Sequence, residues 1–596
     1  MKALAFAISL LMIAPIAVQK SNENIFSGYT NFIYKEGYPV LPYKYETYVF
    51  PFGTEIKEIK VEEKNIEKIK LNEKIKPAPA PYPKKFEIKE SEIYSKDEFY
   101  PSSWYEYEIH AGIEDGKRAI FLTIYLYPFR YNALRNEILH AKDFDLKIDY
   151  VLPEKIESLA TYDFLIISPD EWINELEALK QHKESKGIKT IVVGLNEIYS
   201  GKYFSSYGRD DAEKVKYFIK NAIEEWGIKY VLLVGGRQGG IFNEKWLMPV
   251  RYTNLDDRSG WETGYLSDLY FADIYKYENG SIVFEDWDSN GNGIFAEWKG
   301  MKKDKLDLMP DVYVGRIACK NKIELKDVID KIIDYENNAW GKEWFNKMIV
   351  VGGDSWPNAG DPYYEGEEEN KAALEYMHGF EAIKLWTSLG TLTGPEDVIN
   401  AINGGAGFLF FDGHGNPMNW ATHPPHSEEW VDGLSLRDMN KLKNKGMYPV
   451  CVVGGCHNSQ FNVSIINLFK IWNINEWYSY VYKGETAYEC WGWKIVRIKN
   501  GGAIASLGYT GLDYFAIGNE DGDNLPDCIQ YYSGFLHVNF FKEYASGQDI
   551  IGVIHANTLI RYINTHNVMK DEIHCKTVQE WVLLGDPTLK IGGYKE

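Results

Sequence analysis

From about residue 160 onward, short runs of Val, Ile and Leu alternate with segments of helical periodicity, and this alternation constrains the fold more than any other feature. The predicted strands lie at 162–167, 190–193, 230–234, 348–353, 382–386, 407–412, 448–454 and 503–508, and the predicted helices lie at 170–186, 211–226, 370–378, 395–403 and 436–443. Buried strands that alternate with helices indicate parallel sheets covered on both faces. The pattern restarts after Trp344, so the sequence predicts two consecutive α/β units, residues 156–345 and 346–596.

The segment before residue 156 has a different pattern. Residues 24–152 are rich in Tyr, Lys, Glu and Pro, and runs such as 45–50 and 119–125 combine aromatic and β-branched side chains. Such runs separated by turns predict a β-sandwich-like domain, which we assign to residues 20–155. The proline-rich stretch 77–83 can enter neither a helix nor an inner strand, and we interpret it as a connection within this domain.

The first residues indicate export. Lys2 is followed by an apolar run that ends at Val18, before the polar residues from Gln19 onward. A run of about 16 residues is shorter than the ~20 that span a bilayer, so we predict a removable secretory signal at residues 1–19 rather than a membrane anchor. The mature protein is then expected to be secreted and free of the membrane.

The charge of the chain argues against one class of partner. The 86 acidic residues outnumber the 65 basic ones, which gives a net charge of −21. Nucleic-acid binding needs Lys and Arg clustered on a basic face, so no nucleic-acid partner is expected.

Three reactive side chains follow predicted strands of the second unit. Asp354, His414 and Cys456 each stand at the end of a different strand, and His414 is flanked by two glycines. Ligands bind at the carboxyl ends of the strands in open α/β sheets, so these residues are candidates for one site. Cys456 also precedes a helix that we predict from Phe461 onward, and the positive end of that helix would lower the pKa of the thiol. A nearby imidazole would complete an activated nucleophile.

Each of these residues also has a structural alternative. Cys456 can be a buried apolar side chain, His414 a hydrogen-bonded loop residue, and Asp354 a helix cap. A zinc site built from Cys456, His414, His423 and His457 is a further alternative. The Cys-His pair has no second pair at zinc-finger spacing, which favours the catalytic interpretation.

The order and spacing of these residues resemble the gingipain-type cysteine peptidases, which belong to the wider caspase-like group. The resembling segments are Gly413-His414-Gly415 with Trp420, Gly455-Cys456, 267–273, 309–316, 584–589 and, upstream, 36–42 and 127–131. The resemblance implies a two-lobed, caspase-like α/β region with parallel sheets, preceded by a β-sandwich-like pro-domain that inhibits it. It also implies protein or peptide substrates and no organic cofactor.

The resemblance implies a role for each residue of the site. Cys456 matches the nucleophile, His414 matches the general acid/base, and Asp354 falls where the family places a carboxylate that orients the histidine. The backbone N–H groups of Gly415 and Cys456 would form the oxyanion hole. His457, directly after the nucleophile, is absent from the better-known members.

Two carboxylates are candidates for substrate selection, and both come from the resemblance. Glu365 falls near an acid of the arginine-type members, and Asp513 near an acid of the lysine-type members. A carboxylate at the base of a pocket would select Lys or Arg on the amino side of the cleaved bond. Trp420 is also assigned to substrate binding. The structural alternative is that Glu365 belongs to a solvated run, residues 365–369.

Two loops carry oxygen ligands at the spacing of calcium sites. The predicted ligands are Asp286, Asp288, Asn290, Asn292 and Glu297 in the first loop and Asp521, Asp523 and Asp527 in the second. Alternating acids around glycine suit Ca²⁺, which we expect to be structural. The alternative for both loops is an ordinary turn rich in Asp and Asn.

The function that these observations favour is a secreted cysteine endopeptidase made as a zymogen. Its β-rich pro-domain would cover the cleft until the chain is cut near 153–160, and Lys155 is a candidate cleavage site. The competing hypothesis is a non-catalytic, calcium-stabilised exported binding or adhesion protein that retains the peptidase scaffold.

Overall fold

A computed structural model describes residues 25–82, 88–154 and 161–595 of the chain. The predicted signal at 1–19 and the candidate cleavage site Lys155 lie outside the described residues. Within the described ranges, no helix is both long and apolar enough to cross a membrane.

Ten strands form one continuous sheet across both α/β units. They are β1 (Phe164–Ser168), β2 (Thr190–Gly194), β3 (Tyr230–Val234), β4 (Tyr313–Ile317), β5 (Lys347–Gly352), β6 (Glu381–Trp386), β7 (Phe408–Asp412), β8 (Val450–Val453), β9 (Ala505–Tyr509) and β10 (Trp581–Leu584). Their order across the sheet is β2-β1-β3-β4-β10-β9-β8-β7-β5-β6. All neighbours are parallel except β9 and β10. The predicted parallel-sheet α/β fold is confirmed.

The strand β10 forms the seam between the two units. It pairs in parallel with β4, where Arg316 faces Leu584, and antiparallel with β9. The strands of the two units therefore run in opposite directions. The carboxyl ends of β5, β7 and β8, which are neighbours in the sheet, share one edge. Asp354, His414 and Cys456 stand on the connections that leave this edge.

Helices cover both faces of the sheet, as the complete burial of β1, β4 and β7 requires. The helices are Ile173–Ser185, Leu195–Tyr199, Asp211–Trp226, Lys322–Asn338, Glu365–Tyr376, Pro395–Asn403, Ile474–Tyr482, Trp491–Arg497, Tyr532–Ala545, Ile551–Thr565 and Glu572–Glu580. Short strands between these elements are Arg237–Gly239, Lys245–Trp246, Asn254–Leu255, Tyr275–Glu278, Ser281–Phe284, Glu297–Lys299, Lys302–Lys303, His414–Gly415, Asn419–Thr422 and Val431–Ser435.

Two helix predictions are wrong. The segment predicted as a helix at 436–443 forms only a 3₁₀ turn, Asp438–Lys441. No α-helix begins at Phe461, where the chain makes turns before a 3₁₀ segment, Ile465–Phe469. The side chain of Asn458 donates to the carbonyls of Val453 and Gly455, and such local bonds compete with helix formation.

The N-terminal domain contains two three-stranded antiparallel sheets. Their strands, in spatial order, are Lys44–Pro51, Lys117–Leu126 and Tyr105–Glu114 in one sheet and Glu55–Lys70, Glu137–Val151 and Phe129–Asn132 in the other. Leu122 and Ile124 from the first sheet pack against Ile59, Val61 and Phe144 from the second. The predicted β-sandwich-like domain is confirmed.

This domain is attached to the α/β region through the helix Ile551–Thr565. The hydroxyl of Tyr43 donates to the carbonyl of Thr565 at 2.7 Å, and that of Tyr125 donates to the carbonyl of Ile563 at 3.1 Å. Thr123 adds a hydroxyl bond to the Asn564 side chain at 2.8 Å. These buried hydrogen bonds fix the position of the domain on the α/β region.

Candidate active site

Cys456 stands in a tight turn after β8. Gly455 has a φ of +129°, a conformation that favours glycine, and a Cβ there would lie 2.7 Å from the backbone nitrogen of Gly415. A Cβ on Gly415 would in turn lie 3.3 Å from the backbone nitrogen of Cys456. His457 also has a positive φ, +56°. The turn therefore brings the backbone of Cys456 against the loop that carries His414.

A short hairpin carries His414. The strand His414–Gly415 pairs with Asn419–Thr422, and Trp420 on the second strand is fully buried. The indole Nε1 of Trp420 donates to the carbonyl of Gly454 at 3.0 Å. The predicted substrate contact of Trp420 is therefore wrong, because its side chain has no exposed surface. Trp420 instead ties the His414 hairpin to the Cys456 turn.

The imidazole of His414 is oriented by a backbone group. Its Nε2 donates to the carbonyl oxygen of Ser355 at 2.8 Å. The carboxylate of Asp354 accepts from the N–H groups of Trp356 and His426, at 3.1 and 2.8 Å. No hydrogen bond joins the described side chains of Asp354 and His414, so the carboxylate does not orient the imidazole directly. Asp354 instead holds the turn that presents the Ser355 carbonyl.

Glu365 lies beneath the same turn. Its Oε2 accepts from the N–H groups of Ser355 and Trp356 at 3.0 and 3.1 Å, and its Oε1 has no hydrogen-bond partner among the described residues. The residue is 2% exposed, so the solvated-run alternative is wrong. Burial raises the pKa of Glu365 to about 8.

Asp513 lies beside the nucleophile. Its Oδ2 accepts from the N–H of Gly455 at 2.9 Å, and its backbone carbonyl is 3.7 Å from the Sγ of Cys456. The second oxygen, Oδ1, is buried and has no partner within the described chain. Burial raises the pKa of Asp513 to about 6. This carboxylate therefore changes charge near neutral pH next to the Cys456 turn.

The proline-rich stretch leaves its domain and reaches this site. The backbone N–H and carbonyl of Tyr82 exchange hydrogen bonds with Phe515, at 3.0 and 3.1 Å. The Tyr82 ring lies 4.1 Å from that of Trp356 and 6.0 Å from that of His414, measured between centroids. The interpretation of 77–83 as a connection inside the domain is therefore wrong for its end. Residues 77–82 form an arm, named here the Tyr82 arm, that crosses to the α/β region.

The thiol and the imidazole are both held in their neutral forms. Burial raises the pKa of the Cys456 thiol well above its ordinary value. Burial also lowers the pKa of His414 to about 4. No α-helix begins at Phe461, so the predicted helix that would lower the pKa of the thiol does not form there. In this covered state the thiol and the imidazole are therefore both neutral. A neutral thiol is a weak nucleophile.

The alternative zinc set does not assemble. Nδ1 of His423 lies 3.0 Å from the carbonyl of Glu429, and His457 is buried with its Nε2 3.6 Å from a Glu262 carboxylate oxygen. Among the described residues, one group of His, Cys, Asp and Glu has its ligand atoms close enough to hold an ion, and it includes none of the four. The zinc alternative is therefore wrong.

The first predicted calcium loop already contains a cation. The guanidinium of Arg209 pairs with Asp286 at 3.0 Å and with Asp288. Asn292 donates its side-chain amide to Glu297 at 2.7 Å. The fifth predicted ligand, Asn290, donates to the carboxylate of Asp304 at 2.9 Å. A calcium ion would have to displace Arg209, so these residues fit the ion poorly.

The second loop fits a cation better. Asp527 is fully buried, and its Oδ1 has no hydrogen-bond partner within the described residues. Burial, then the charge of Asp523, raises the pKa of Asp521 to about 7. Asp523 accepts from the side chain of Gln530 at 2.8 Å. Crowded carboxylates with a free buried oxygen are the arrangement that a hard cation relieves.

Three contributors to the site escaped the sequence analysis. Ser355 acts through its backbone carbonyl, which no side-chain pattern reveals. Trp430, which is 60% exposed, has its ring 5.1 Å from that of His414. Tyr82 is the one aromatic residue in the proline-rich stretch 77–83, and this is the sequence feature that could have identified it.

Comparisons with known proteins found similar sequences. The sequence profile of peptidase family C25 matches residues 157–592. Gingipain R2 of Porphyromonas gingivalis is 24% identical over 302 residues, which is 50% of this chain and 32% of that protein. Lys-gingipain of the same species is 24% identical over 222 residues, 35% of this chain and 10% of that protein. The chain thus matches a third or less of the length of these relatives.

A solved structure shows the same fold. The crystal structure of the Arg specific cysteine proteinase gingipain R superposes with a TM-score of 0.50 at 17% identity, over 73% of this chain and 79% of that chain. A complex of Porphyromonas gingivalis pro- and mature domains is similar with a TM-score of 0.46 at 18% identity, over 72% and 79% of the two chains.

Proposed function

The chain belongs to peptidase family C25, and we propose that it is a cysteine endopeptidase made in a latent form. The observation that carries this proposal is the close approach of the loops that carry Cys456 and His414, on the connections after two adjacent strands. Trp420 joins the two loops, and Ser355 fixes the imidazole. Adjacent nucleophile and base with a third orienting group is the arrangement that nucleophilic acyl transfer requires.

The mechanism follows from the positions of these groups. When the site is opened to substrate, His414 accepts the thiol proton and Cys456 attacks the carbonyl of the scissile peptide bond. The backbone N–H groups of Gly415 and Cys456, which lie side by side, would stabilise the oxyanion by about 3 kcal/mol per donor. His414 then protonates the leaving amine, and water hydrolyses the thioester. The predicted roles of Cys456, His414 and Gly415 stay proposals.

The Tyr82 arm supports a latent state. It places an aromatic ring against His414 and pairs with Phe515, two residues after Asp513. A peptide substrate needs the same space, so the arm excludes it. The arm also keeps the site dry, which holds the thiol and imidazole neutral. Cleavage near 153–160, with Lys155 as the proposed site, would release the domain that carries the arm.

Basic specificity is supported by two buried carboxylates with free oxygens. Asp513 is next to the nucleophile, and Glu365 lies under the Ser355 turn. At neutral pH Asp513, whose pKa is raised to about 6, is charged, whereas Glu365, whose pKa is raised to about 8, is protonated. Asp513 is therefore the stronger partner for a substrate Lys or Arg.

We expect Asp513→Asn to lower kcat/KM for peptides cleaved after Lys by about 10²-fold, because one buried charge pair is lost. Asparagine still accepts the Gly455 N–H, so the turn is retained. For the native chain, the preference for Lys over Leu should rise from pH 5 to pH 7 as Asp513 ionises, and the variant should show no such rise in this preference.

The measurement uses fluorogenic peptides ending in Lys, Arg, Asp and Leu with the processed chain. Glu365→Gln is the matched control and should change the Lys:Leu preference less than Asp513→Asn. Cleavage only after Leu would contradict basic specificity, and no cleavage of any peptide would contradict the peptidase itself.

Structural calcium is proposed for the second loop in preference to the first. Asp521, Asp523 and Asp527 would hold the ion, which neutralises carboxylates that crowd one another. We expect one calcium per chain by titration calorimetry, with binding lost in Asp527→Asn and kept in Asp288→Asn. Loss of binding in Asp288→Asn alone would instead assign the ion to the first loop.

Export and one competing function complete the proposal. The apolar run that ends at Val18 supports export. A non-catalytic binding or adhesion protein on the same scaffold is the second candidate. The retained Cys456 and His414 favour the peptidase, because a binding protein has no need of either.

A further inference from the structure

A second group of ionisable side chains lies beneath the catalytic loops. Glu369 from the helix Glu365–Tyr376, Asp412 at the end of β7 and His537 from the helix Tyr532–Ala545 meet there, and all three are buried. Their nearest ligand atoms lie within 4.8 Å of one another. The peptidase mechanism uses none of them.

The distances within the group suit coordination. The imidazole Nδ1 of His537 lies 2.8 Å from Oε2 of Glu369 and 3.9 Å from Oδ2 of Asp412. Zinc–ligand bonds of about 2.1 Å put two tetrahedral ligands about 3.4 Å apart, and the observed distances lie on either side of that value. The other ring nitrogen, Nε2, is 3.0 Å from the hydroxyl of Tyr509. Metal-bound histidines usually have such a partner on the second nitrogen.

Among the described residues, His537 is the one ion-pair partner of Glu369 and Asp412, and no Lys or Arg pairs with either carboxylate. No N–H or hydroxyl of the described residues donates to the buried Oδ2 of Asp412, which lies 3.9 Å from Nδ1 of His537 and beside the carboxyl group of Glu369. The charges that act most strongly on Glu369 are those of Asp412, Asp513 and Glu365, all carboxylates. Buried carboxylates are paired with cations or coordinate metal ions.

Two glycines let the backbone pack closely against the group. A Cβ on Gly454 would lie 2.7 Å from Cε1 of His537 and 2.8 Å from Oδ1 of Asp412, and a Cβ on Gly534 would lie 2.6 Å from Oε1 of Glu369. Gly454 stands two residues before Cys456, and Asp412 stands two residues before His414. The group therefore touches the base of both catalytic loops.

We propose that Glu369, Asp412 and His537 bind one divalent transition-metal ion, zinc in the first place, that anchors both catalytic loops. One imidazole with two carboxylates is a ligand set for zinc or manganese. Calcium needs six to eight oxygens and is not expected at this position. The ion is structural, because its ligands are buried and separated from the substrate by the His414 and Cys456 loops.

The test measures the metal content of the full-length chain by mass spectrometry. The Cys456→Ala background removes the active-site thiol as a competing zinc ligand. We expect about one zinc per chain, falling at least about five-fold in Asp412→Asn and His537→Gln. His182→Gln is the matched control, because His182 also faces a buried carboxylate, Glu336, but Lys183 completes that charge balance.

A second measurement uses no ligand variant, so it stays informative if Asp412→Asn or His537→Gln fails to fold. The Cys456→Ala chain is stripped with a chelator and its Tm is followed as ions are added. Zinc or manganese should raise the Tm by several degrees, whereas magnesium should have no effect on it. Calcium is expected to bind the second loop and not this group. A chain that holds no zinc or manganese and shows no Tm change when either is added would overturn the proposal. Equal zinc content in Asp412→Asn, His537→Gln and the parent would overturn it too.

Discussion

Replacing Cys456 with alanine in the processed chain should lower kcat for peptide hydrolysis by about 10⁵-fold, because every covalent step passes through its sulfur. The His414→Gln variant should lose a comparable factor, since a residue pair that acts as one unit is disabled by either loss. The measurement is initial-rate hydrolysis of a Lys-terminated fluorogenic peptide.

Cys451→Ala provides the matched control for the nucleophile. Cys451 is a fully buried cysteine in β8, on the strand that leads to Cys456, and it should be replaceable with little loss of kcat. Labelling with an iodoacetamide probe adds a second readout, which should disappear in Cys456→Ser. Labelling that persists in Cys456→Ser, together with no turnover in the processed native chain, would favour the non-catalytic binding protein.

Replacing Tyr82 with alanine in the intact, unprocessed chain should increase the rate of iodoacetamide labelling at Cys456 by about 30-fold. Loss of the ring removes its contacts with Trp356, His414 and Phe515, and a large aromatic truncation of this kind costs about 2 kcal/mol of docking free energy or more. Water then enters the site, and the thiol and imidazole are released from the burial that keeps both neutral.

Tyr82→Phe is the control for this second prediction. It retains the ring and removes only the hydroxyl, so the intact chain should stay as slow to label as the native one. Equal labelling rates for Tyr82→Ala and the native chain, measured before any cleavage near 153–160, would show that the arm does not cause latency.

Local sequence patterns were sufficient for most of the fold. Strands β1 to β3 and β5 to β9 were predicted within a few residues, because a strand covered on both faces is apolar along most of its length. The strands β4 and β10 were not predicted. The two sheets of the N-terminal domain were predicted from their aromatic and β-branched runs. The predicted helix at Phe461 failed because Asn458 and its neighbours bond locally to the turn.

Local sequence patterns predicted only part of the candidate site. Cys456 and His414 stand shortly after strands, so the meeting of their loops follows once β7 and β8 are neighbours in the sheet. The partner of His414 did not follow, because Ser355 contributes a backbone carbonyl and every residue has one. Trp420 was wrongly assigned to substrate binding because the sequence does not show which face of a hairpin is buried.

The sequence by itself determined the α/β and β-rich regions and the residue types at the strand ends, since periodicity and turn chemistry act over a few neighbouring residues. The tertiary structure alone decided three matters. It decided that β10 joins the two units into one sheet, that the Tyr82 arm covers His414, and that Glu369 and His537 meet beneath the catalytic loops. Each of these depends on contacts between residues far apart in the chain, where burial and packing rather than local pattern select the partner.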